Sequence, residues 1–237
     1  MPKRSMISKA AVALAALTAT MIVAGCGGAP QARSITVTFI RHAQSEANAS
    51  GVIDTEVPGP GLSPEGKGQA EQVAHQLGHK DYDSVYASTM TRAQQTAAPL
   101  AAELGKRVEV LPGLQEINAG WYNGKPESMA KTTYMLAPAA WINGDVGDSI
   151  PGSISGKEFN DQFTAAVNKI YNSGHHHPVV FSHLVAIETW TLMNAQNAKD
   201  SLMNSHPIPN TGRVVISGNP MTGWTLVDWD GIRDFRN

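Results

Sequence analysis

Cysteine is nearly absent from this chain of 237 residues, because Cys26 is the only one. A single cysteine cannot form a disulfide within the chain, so the disulfide-stapled class of small secreted domains is excluded. The chain also lacks an excess of positive charge, since its formal net charge is −2. We therefore expect no nucleic-acid partner and no polyanion-binding surface. Internal repeats and low-complexity tracts are absent as well.

No apolar run is long enough for a comfortable membrane span, which needs roughly 20 residues. The longest candidate, residues 10–24, is almost entirely small or apolar and follows the basic residues Lys3, Arg4 and Lys9. A basic start, a short apolar run and small residues before a cleavage site are typical of a signal peptide.

The end of that segment, Val23-Ala24-Gly25-Cys26, resembles a bacterial lipobox, in which the cysteine thiol receives diacylglycerol. We predict a lipoprotein signal peptide over residues 1–25 and a tether beginning with lipidated Cys26 over residues 26–34. Residues 35–237 would then form an extracytoplasmic domain anchored to the cell membrane through this lipid. An ordinary secreted protein and an uncleaved anchor are the alternatives.

Strand-like and helix-like segments alternate along the remaining chain. The first strand, residues 35–40, is β-branched and aromatic without alternation, which predicts burial on both faces. Further strands are predicted at residues 84–87, 107–111, 178–181, 214–216 and 224–227. Helices are predicted from Pro64 to Gly78, across residues 93–104 and 159–170, and from Leu184 to Ala195. This order predicts a three-layer α/β/α sandwich with a mainly parallel central sheet. Residues 113–156, rich in Gly, Pro, Asn and Ser, predict an irregular, partly helical cap.

Polar side chains follow three of the predicted strands. Arg41 and His42 follow the first, Ser88 and Arg92 follow the second, and His183 follows the strand that ends near residue 181. Sites in open α/β sheets lie at the carboxyl ends of the strands, so these side chains are expected to meet in one crevice. Two arginines and two histidines in an acidic domain indicate an anion pocket.

These residue types suit phosphoryl transfer. Positioned cations stabilise the charge on the equatorial oxygens, and the guanidinium of arginine meets two oxygens at once. A neutral imidazole is a good nucleophile toward phosphorus, and a carboxylic acid must protonate the leaving oxygen. Glu116, at the start of the predicted cap, is the candidate acid.

Residues 41–48, Arg-His-Ala-Gln-Ser-Glu-Ala-Asn, resemble the signature of the histidine phosphatase superfamily, also called phosphoglycerate mutase-like. Four further segments resemble motifs of this family in the same order and cover most of residues 35–190. They are Leu62-Ser63-Pro64-Glu65-Gly66 with Gln69-Ala70, Ser88 with Arg92-Ala93 and Thr96-Ala97, Leu114-Gln115-Glu116, and Ser182-His183.

The resemblance implies a role for each matching residue. His42 would be the phosphorylated nucleophile, and Glu116 would be the acid and then the base that activates water. Arg41, Arg92 and His183 would bind the phosphoryl oxygens. Ser45 and Asn48 match positions near the phosphate. No metal and no organic cofactor is implied.

Two residues depart from the family pattern, and one histidine run needs a separate interpretation. Ala43 replaces the glycine that usually follows the first histidine of the family, here His42. Leu184 replaces the glycine that usually follows the second, here His183, and could narrow the pocket or shift the loop backbone. The run His175, His176 and His177 is interpreted as a solvated loop, since adjacent residues on an extended chain point to opposite faces.

The expected function is therefore a phosphatase acting on an extracytoplasmic phosphomonoester. A phosphomutase is an alternative, although residues 118–126 lack the arginine-rich segment that follows the acid in phosphoglycerate mutases. A non-catalytic surface lipoprotein that binds a phosphorylated ligand is another. The substrate stays open among sugar phosphates, nucleotides, phospholipid headgroups and phosphoproteins.

Overall fold

The computed structural model describes residues 32–235. The predicted signal peptide and Cys26, with its predicted lipid anchor, lie outside the described residues. Within them, no helix has the length and apolar character needed to cross a membrane.

A six-stranded sheet forms the centre of the described domain. Its strands are β1 (Ile35–Arg41), β2 (Ser84–Ala87), β3 (Val108–Val110), β4 (Pro178–Ser182), β5 (Arg213–Asn219) and β6 (Gly223–Trp229). They lie in the order β3-β2-β4-β1-β5-β6. The first four of these run parallel, whereas β5 is antiparallel to β1 and β6 is antiparallel to β5. The predicted sandwich around a mainly parallel sheet is confirmed.

Helices cover both faces of this sheet. They are α1 (Glu46–Ser50), α2 (Pro64–Leu77), α3 (Thr91–Glu103), α4 (Leu136–Ile142), α5 (Gly156–Asn172), α6 (Leu184–Asn194) and α7 (Leu202–Ser205). Each of the four predicted helices is present, while α1 and α7 are too short to show a helical pattern in the sequence.

The two faces of β1 enter two separate apolar clusters. Ile40 packs with side chains of α2 and α3, including Leu77 and Leu100, in a small cluster on one face. Phe39 belongs to the larger cluster on the other face, where its ring lies 5.7 Å from that of Phe163 in α5. Burial on both sides explains why the β1 sequence does not alternate.

The segment between β3 and α5 contains little regular structure. It has three short 3₁₀-helices, Pro112–Leu114, Gly120–Tyr122 and Glu127–Thr132, followed by α4. The last 3₁₀-helix and the residues after it contribute Lys131, Tyr134 and Met135 to the wall of the cavity that His42 also lines. This segment thus forms one side of the candidate site, as expected of a cap.

Candidate active site

The ends of three neighbouring strands bring the predicted site residues together. Arg41 ends β1 and His42 follows it, while His183 lies between β4 and α6. Arg92 lies in the first turn of α3, shortly after β2. Because β4 lies between β2 and β1, the three connections meet at one edge of the sheet.

The ring of His42 is buried and held in one tautomer. Its Nδ1 lies 2.7 Å from the carbonyl oxygen of Ala43, which can only accept, so Nδ1 carries the hydrogen. Its Nε2 consequently has a lone pair, which accepts a hydrogen bond from Nε of Arg92 at 3.1 Å. Burial, reinforced by the charges of Arg92 and Arg41, holds the pKa of His42 well below its ordinary value. The ring is therefore neutral near pH 7, as a nucleophile requires.

Arg92 is positioned by the chain that precedes α2. Its Nη2 donates to the carbonyl oxygen of Asp54 at 3.1 Å, and its Nη1 lies 4.0 Å from the Asp54 carboxylate. Gly59, with a φ of 65°, allows this segment to approach closely, because a Cβ atom there would lie 2.9 Å from Nη1. The guanidinium is thus fixed with its Nε directed at His42.

His183 lies beside His42 and is fully buried, with 5.1 Å between the ring centroids. Its Nε2 is 2.7 Å from the Ser88 hydroxyl, which also accepts from the backbone N–H of Met90. This pairing favours donation from Ser88 to Nε2, which places the hydrogen of His183 on Nδ1. Burial first, then Arg92, His42 and Arg41, hold the pKa of His183 well below its ordinary value.

Arg41 is linked to the buried carboxyl group of Glu188 through the backbone of Ile208. Nη1 of Arg41 donates to the Ile208 carbonyl oxygen at 2.8 Å, and the Ile208 N–H donates to Oε1 of Glu188 at 2.9 Å. Burial raises the pKa of Glu188 to about 8, although Arg41 opposes that shift. Glu188 therefore holds a proton at neutral pH and forms no full ion pair with Arg41.

Three N–H donors near His42 are buried without a hydrogen-bond partner among the described residues. They belong to Nε of Arg41, Nη1 of Arg92 and Nδ1 of His183. Buried polar groups are nearly always paired, so unpaired donors need an explanation. Guanidinium and imidazole N–H groups are suited to the oxygens of a phosphoryl group, and Arg41 and Arg92 line the same cavity as His42.

Glu116 follows the 3₁₀-helix Pro112–Leu114, contacts the N-terminus of α6 through its side chain, and lines the same cavity as His42. Its Oε1 accepts from the backbone N–H groups of Ile117 and Ala186, both at 2.9 Å, and its Oε2 accepts from that of Val185 at 3.2 Å. These donors and Arg92 favour the ionised form, but burial outweighs them and raises the pKa of Glu116. A carboxyl balanced in this way can both release and accept a proton.

Ser45 and Asn48 line the cavity, but their side chains also cap α1. The Ser45 hydroxyl accepts from the Asn48 N–H at 3.1 Å, and the Asn48 side chain accepts from the Ser45 N–H at 3.3 Å. Asn210 donates to the His42 carbonyl oxygen at 3.0 Å and thereby holds the neighbouring backbone. Phosphate binding by Ser45 and Asn48 stays a prediction.

The two residues that depart from the family pattern have different surroundings. Ala43 is fully buried, and its N–H donates to the Thr96 hydroxyl at 3.0 Å. Leu184 begins α6 and forms part of the cavity wall, so its side chain occupies space that a glycine would leave open.

Sequence reasoning missed Glu188, Asp54 and Asn210. One signal was available, because Glu188 is a single carboxyl inside the otherwise largely apolar helix α6. The other two lie in loops, where the sequence has no period to follow.

The histidine run lies away from the cavity. The backbone N–H groups of His176 and His177 both donate to the Asp83 carboxylate, and His175 lies 3.9 Å from it. Across residues 32–235, no cluster of three or more His, Cys, Asp or Glu side chains is placed to hold a metal ion.

This chain is similar in sequence to a longer mycobacterial protein. A PE-PGRS family protein (PE_PGRS11) of Mycobacterium tuberculosis is 44% identical over 216 residues, covering 84% of this chain and 37% of that protein. The chain therefore spans little more than a third of that relative's length.

Two solved structures share the fold at low identity. A mycobacterial glucosyl-3-phosphoglycerate phosphatase has a TM-score of 0.67 and 20% identity, covering 84% of this chain and all of that one. A phosphoserine phosphatase of Entamoeba histolytica, in complex with 3-phosphoglyceric acid, has a TM-score of 0.66 and 21% identity over the same shares. Residues 37–231 match the histidine phosphatase superfamily (branch 1), and the chain belongs to that family.

Proposed function

We propose that this protein is a phosphatase that hydrolyses a phosphomonoester through a phosphohistidine at His42. The observation that carries the proposal is the buried ring of His42 beside Arg92 and His183, each of which, like Arg41, has a buried donor without a partner among the described residues. Donors of this kind stabilise the charge on the equatorial oxygens of a phosphoryl group, and the Nε2 lone pair of His42 would be the nucleophile.

In the first step, Nε2 of His42 forms a bond to phosphorus while the bond from phosphorus to the ester oxygen breaks. The incoming phosphoryl oxygens take over the donors of Arg92 and release the Nε2 lone pair for attack. The imidazole acquires positive charge, which the Nδ1–H bond to the Ala43 carbonyl oxygen stabilises. Glu116 gives its proton to the departing alkoxide.

In the second step, water attacks the phosphohistidine and Glu116 accepts its proton. The nitrogen–phosphorus bond breaks, inorganic phosphate leaves, and His42 returns to its neutral form. The raised pKa of Glu116 suits both transfers, since it favours the protonated form in the first step and makes the carboxylate a stronger base than an exposed one in the second.

The place of action is part of the same proposal. The basic start, the short apolar run and the lipobox-like end at Cys26 support export and lipid anchoring at the cell membrane. The partners would be the membrane, through that lipid, and a phosphoester substrate.

The test is phosphate release from p-nitrophenyl phosphate by the full chain in detergent, with and without excess chelator. We expect turnover in both conditions, loss of turnover in His42→Ala, and normal turnover in His79→Ala, which removes an exposed histidine of the surface. Full turnover by His42→Ala would contradict the proposal. Binding of the phosphoester without its hydrolysis would instead indicate the non-catalytic ligand-binding alternative.

A further inference from the structure

Carboxyl groups outnumber cationic side chains among the residues that line the cavity. Its cationic side chains are Arg41, Arg92 and Lys131, and the first two belong to the proposed phosphoryl site. Lys131 is exposed at the cap. Four carboxyl groups line the same space, from Asp54, Glu116, Glu127 and Glu188.

Much of the cavity wall is apolar. Leu184 at the start of α6, Met203 of α7 and Met135 of the cap contribute to it, together with Ile53 and Ala130. The cavity has a volume of about 190 Å³. Sites for drug-sized ligands occupy roughly 300–1,000 Å³, so this volume suits a phosphoryl group and a small alcohol.

A second anionic group on the substrate would be poorly accommodated. With Arg41 and Arg92 engaged by the phosphoryl oxygens, Lys131 is the remaining cation of the lining, and it is exposed at the cap. A second anion deeper in the cavity would face apolar side chains and the carboxyl groups of Asp54 and Glu127, where an unpaired charge is costly. The adjoining pocket beside Tyr134 offers no alternative, since its described lining includes Asp148 and neither lysine nor arginine.

We infer that the substrate is a phosphomonoester of a small alcohol that is uncharged or cationic, and that esters bearing a carboxylate or a second phosphate are discriminated against. This inference rests on the proposed phosphatase function. It separates the chain from its structural neighbours named for phosphoserine and for glucosyl-3-phosphoglycerate, because both of those compounds carry a carboxylate. It also disfavours a phosphomutase, which must hold a second anion.

The test compares pairs of esters that differ mainly in one carboxylate. Phosphoethanolamine is matched with phosphoserine, and glycerol 3-phosphate with 3-phosphoglycerate, using the full chain. We expect kcat/KM to be at least about tenfold higher for the member without a carboxylate in both pairs. Equal values, or a preference for the carboxylates, would overturn the inference.

Reversing the charge of Glu127 provides a second test of the same inference. Glu127 is exposed and lines the cavity, so Glu127→Lys should raise kcat/KM for 3-phosphoglycerate several-fold relative to glycerol 3-phosphate. The matched control is Glu71→Lys, which makes the same change on the exposed surface of α2 and should leave the ratio unchanged. An identical ratio in both variants would contradict the inference.

Two further measurements separate this inference from the proposed function. Turnover of p-nitrophenyl phosphate reports whether the chain is a phosphatase, whatever its preference among natural esters. Calorimetric binding of the four esters to His42→Ala ranks them without turnover, so the selectivity is measured even if hydrolysis fails. Tighter binding of the carboxylate-bearing members would overturn the inference on its own.

Discussion

Arg92 contacts three different groups through one guanidinium, namely the ring of His42, the carbonyl oxygen of Asp54 and the sulfur of Met90. We predict that Arg92→Ala lowers kcat by about 100- to 1,000-fold, as expected when one donor to the transition state is lost. Arg92→Lys should recover only part of this, because an ammonium cannot replace the fork of donors. The measurement is steady-state hydrolysis of p-nitrophenyl phosphate, and equal kcat values for Arg92→Ala and wild type would rule out this role.

The buried carboxyl group of Glu188 makes the free energy of unfolding depend on pH. Burial raises its folded-state pKa from 4.5 to about 8, so between these values the folded chain keeps a proton that the unfolded chain has lost. Stability therefore falls as pH rises through this window, by about 1.4 kcal/mol per pH unit and on the order of 5 kcal/mol across all of it. Glu188→Gln cannot ionise and its amide oxygen can still accept from Ile208.

The measurement is urea unfolding of wild type and Glu188→Gln at pH 5.5 and 8.5. We expect the free energy of unfolding of wild type to fall more between the two pH values than that of the variant. Parallel declines would show that Glu188 has no raised pKa in the folded state.

The residues that the sequence could identify are those fixed by chemistry and by chain position. Arg41, His42, Arg92 and His183 were found because each follows a strand and because the segment around it resembles a family motif. Glu188 was not found, since its role depends on the Ile208 backbone, 20 residues further along the chain. Contacts of this kind are set by how a loop folds back, which no local pattern records.

At the scale of helices and strands, the apolar pattern of the sequence predicts an element correctly where one or both of its faces are buried. Helix α5 places Phe159, Phe163, Val167 and Ile170 on one buried side, and its period predicted it directly. The capping box of Ser155 with Glu158 explains where it begins. The cap was predicted only as irregular, because short 3₁₀-helices have no apolar period long enough to detect.

Helix α6 positions the proposed acid, since the backbone N–H groups of Val185 and Ala186 hold Glu116. We predict that Glu116→Gln slows esters with poor leaving groups, such as glycerol 3-phosphate, far more than p-nitrophenyl phosphate. A nitrophenolate departs without a proton, whereas an alkoxide needs one. Turnover of both substrates in both proteins is the measurement, and a similar modest slowing of the two would show that Glu116 is not the acid.

At the scale of the whole molecule, topology explains why distant residues meet. Parallel neighbours β2, β4 and β1 bring residues 41, 92 and 183 to one edge of the sheet, as the alternation of strands and helices predicted. The shape of the cavity could not be predicted from the sequence. The cap, α7 and the loop before β5 all contribute to its wall, and none of them has a regular apolar pattern.

The proposed anchor also concerns the whole molecule. We predict that Cys26→Ala abolishes lipid labelling and moves the protein from the membrane fraction to the soluble fraction, because stable anchoring needs two or more acyl chains. Phosphatase activity should be retained, since the site lies entirely within residues 41–210. Labelling with a fatty-acid probe and fractionation measure this, and unchanged labelling of the variant would refute the lipobox interpretation.

The central claim, a covalent phosphohistidine at His42, is tested most directly by trapping the intermediate. The full chain is mixed with ³²P-labelled substrate, quenched in base, and examined for label on the protein. The account predicts a phosphoenzyme that is stable in base and labile in acid, is absent from His42→Ala, and is longer-lived in Glu116→Gln. Rapid hydrolysis by wild type with no trapped label, or label that persists in His42→Ala, would contradict it.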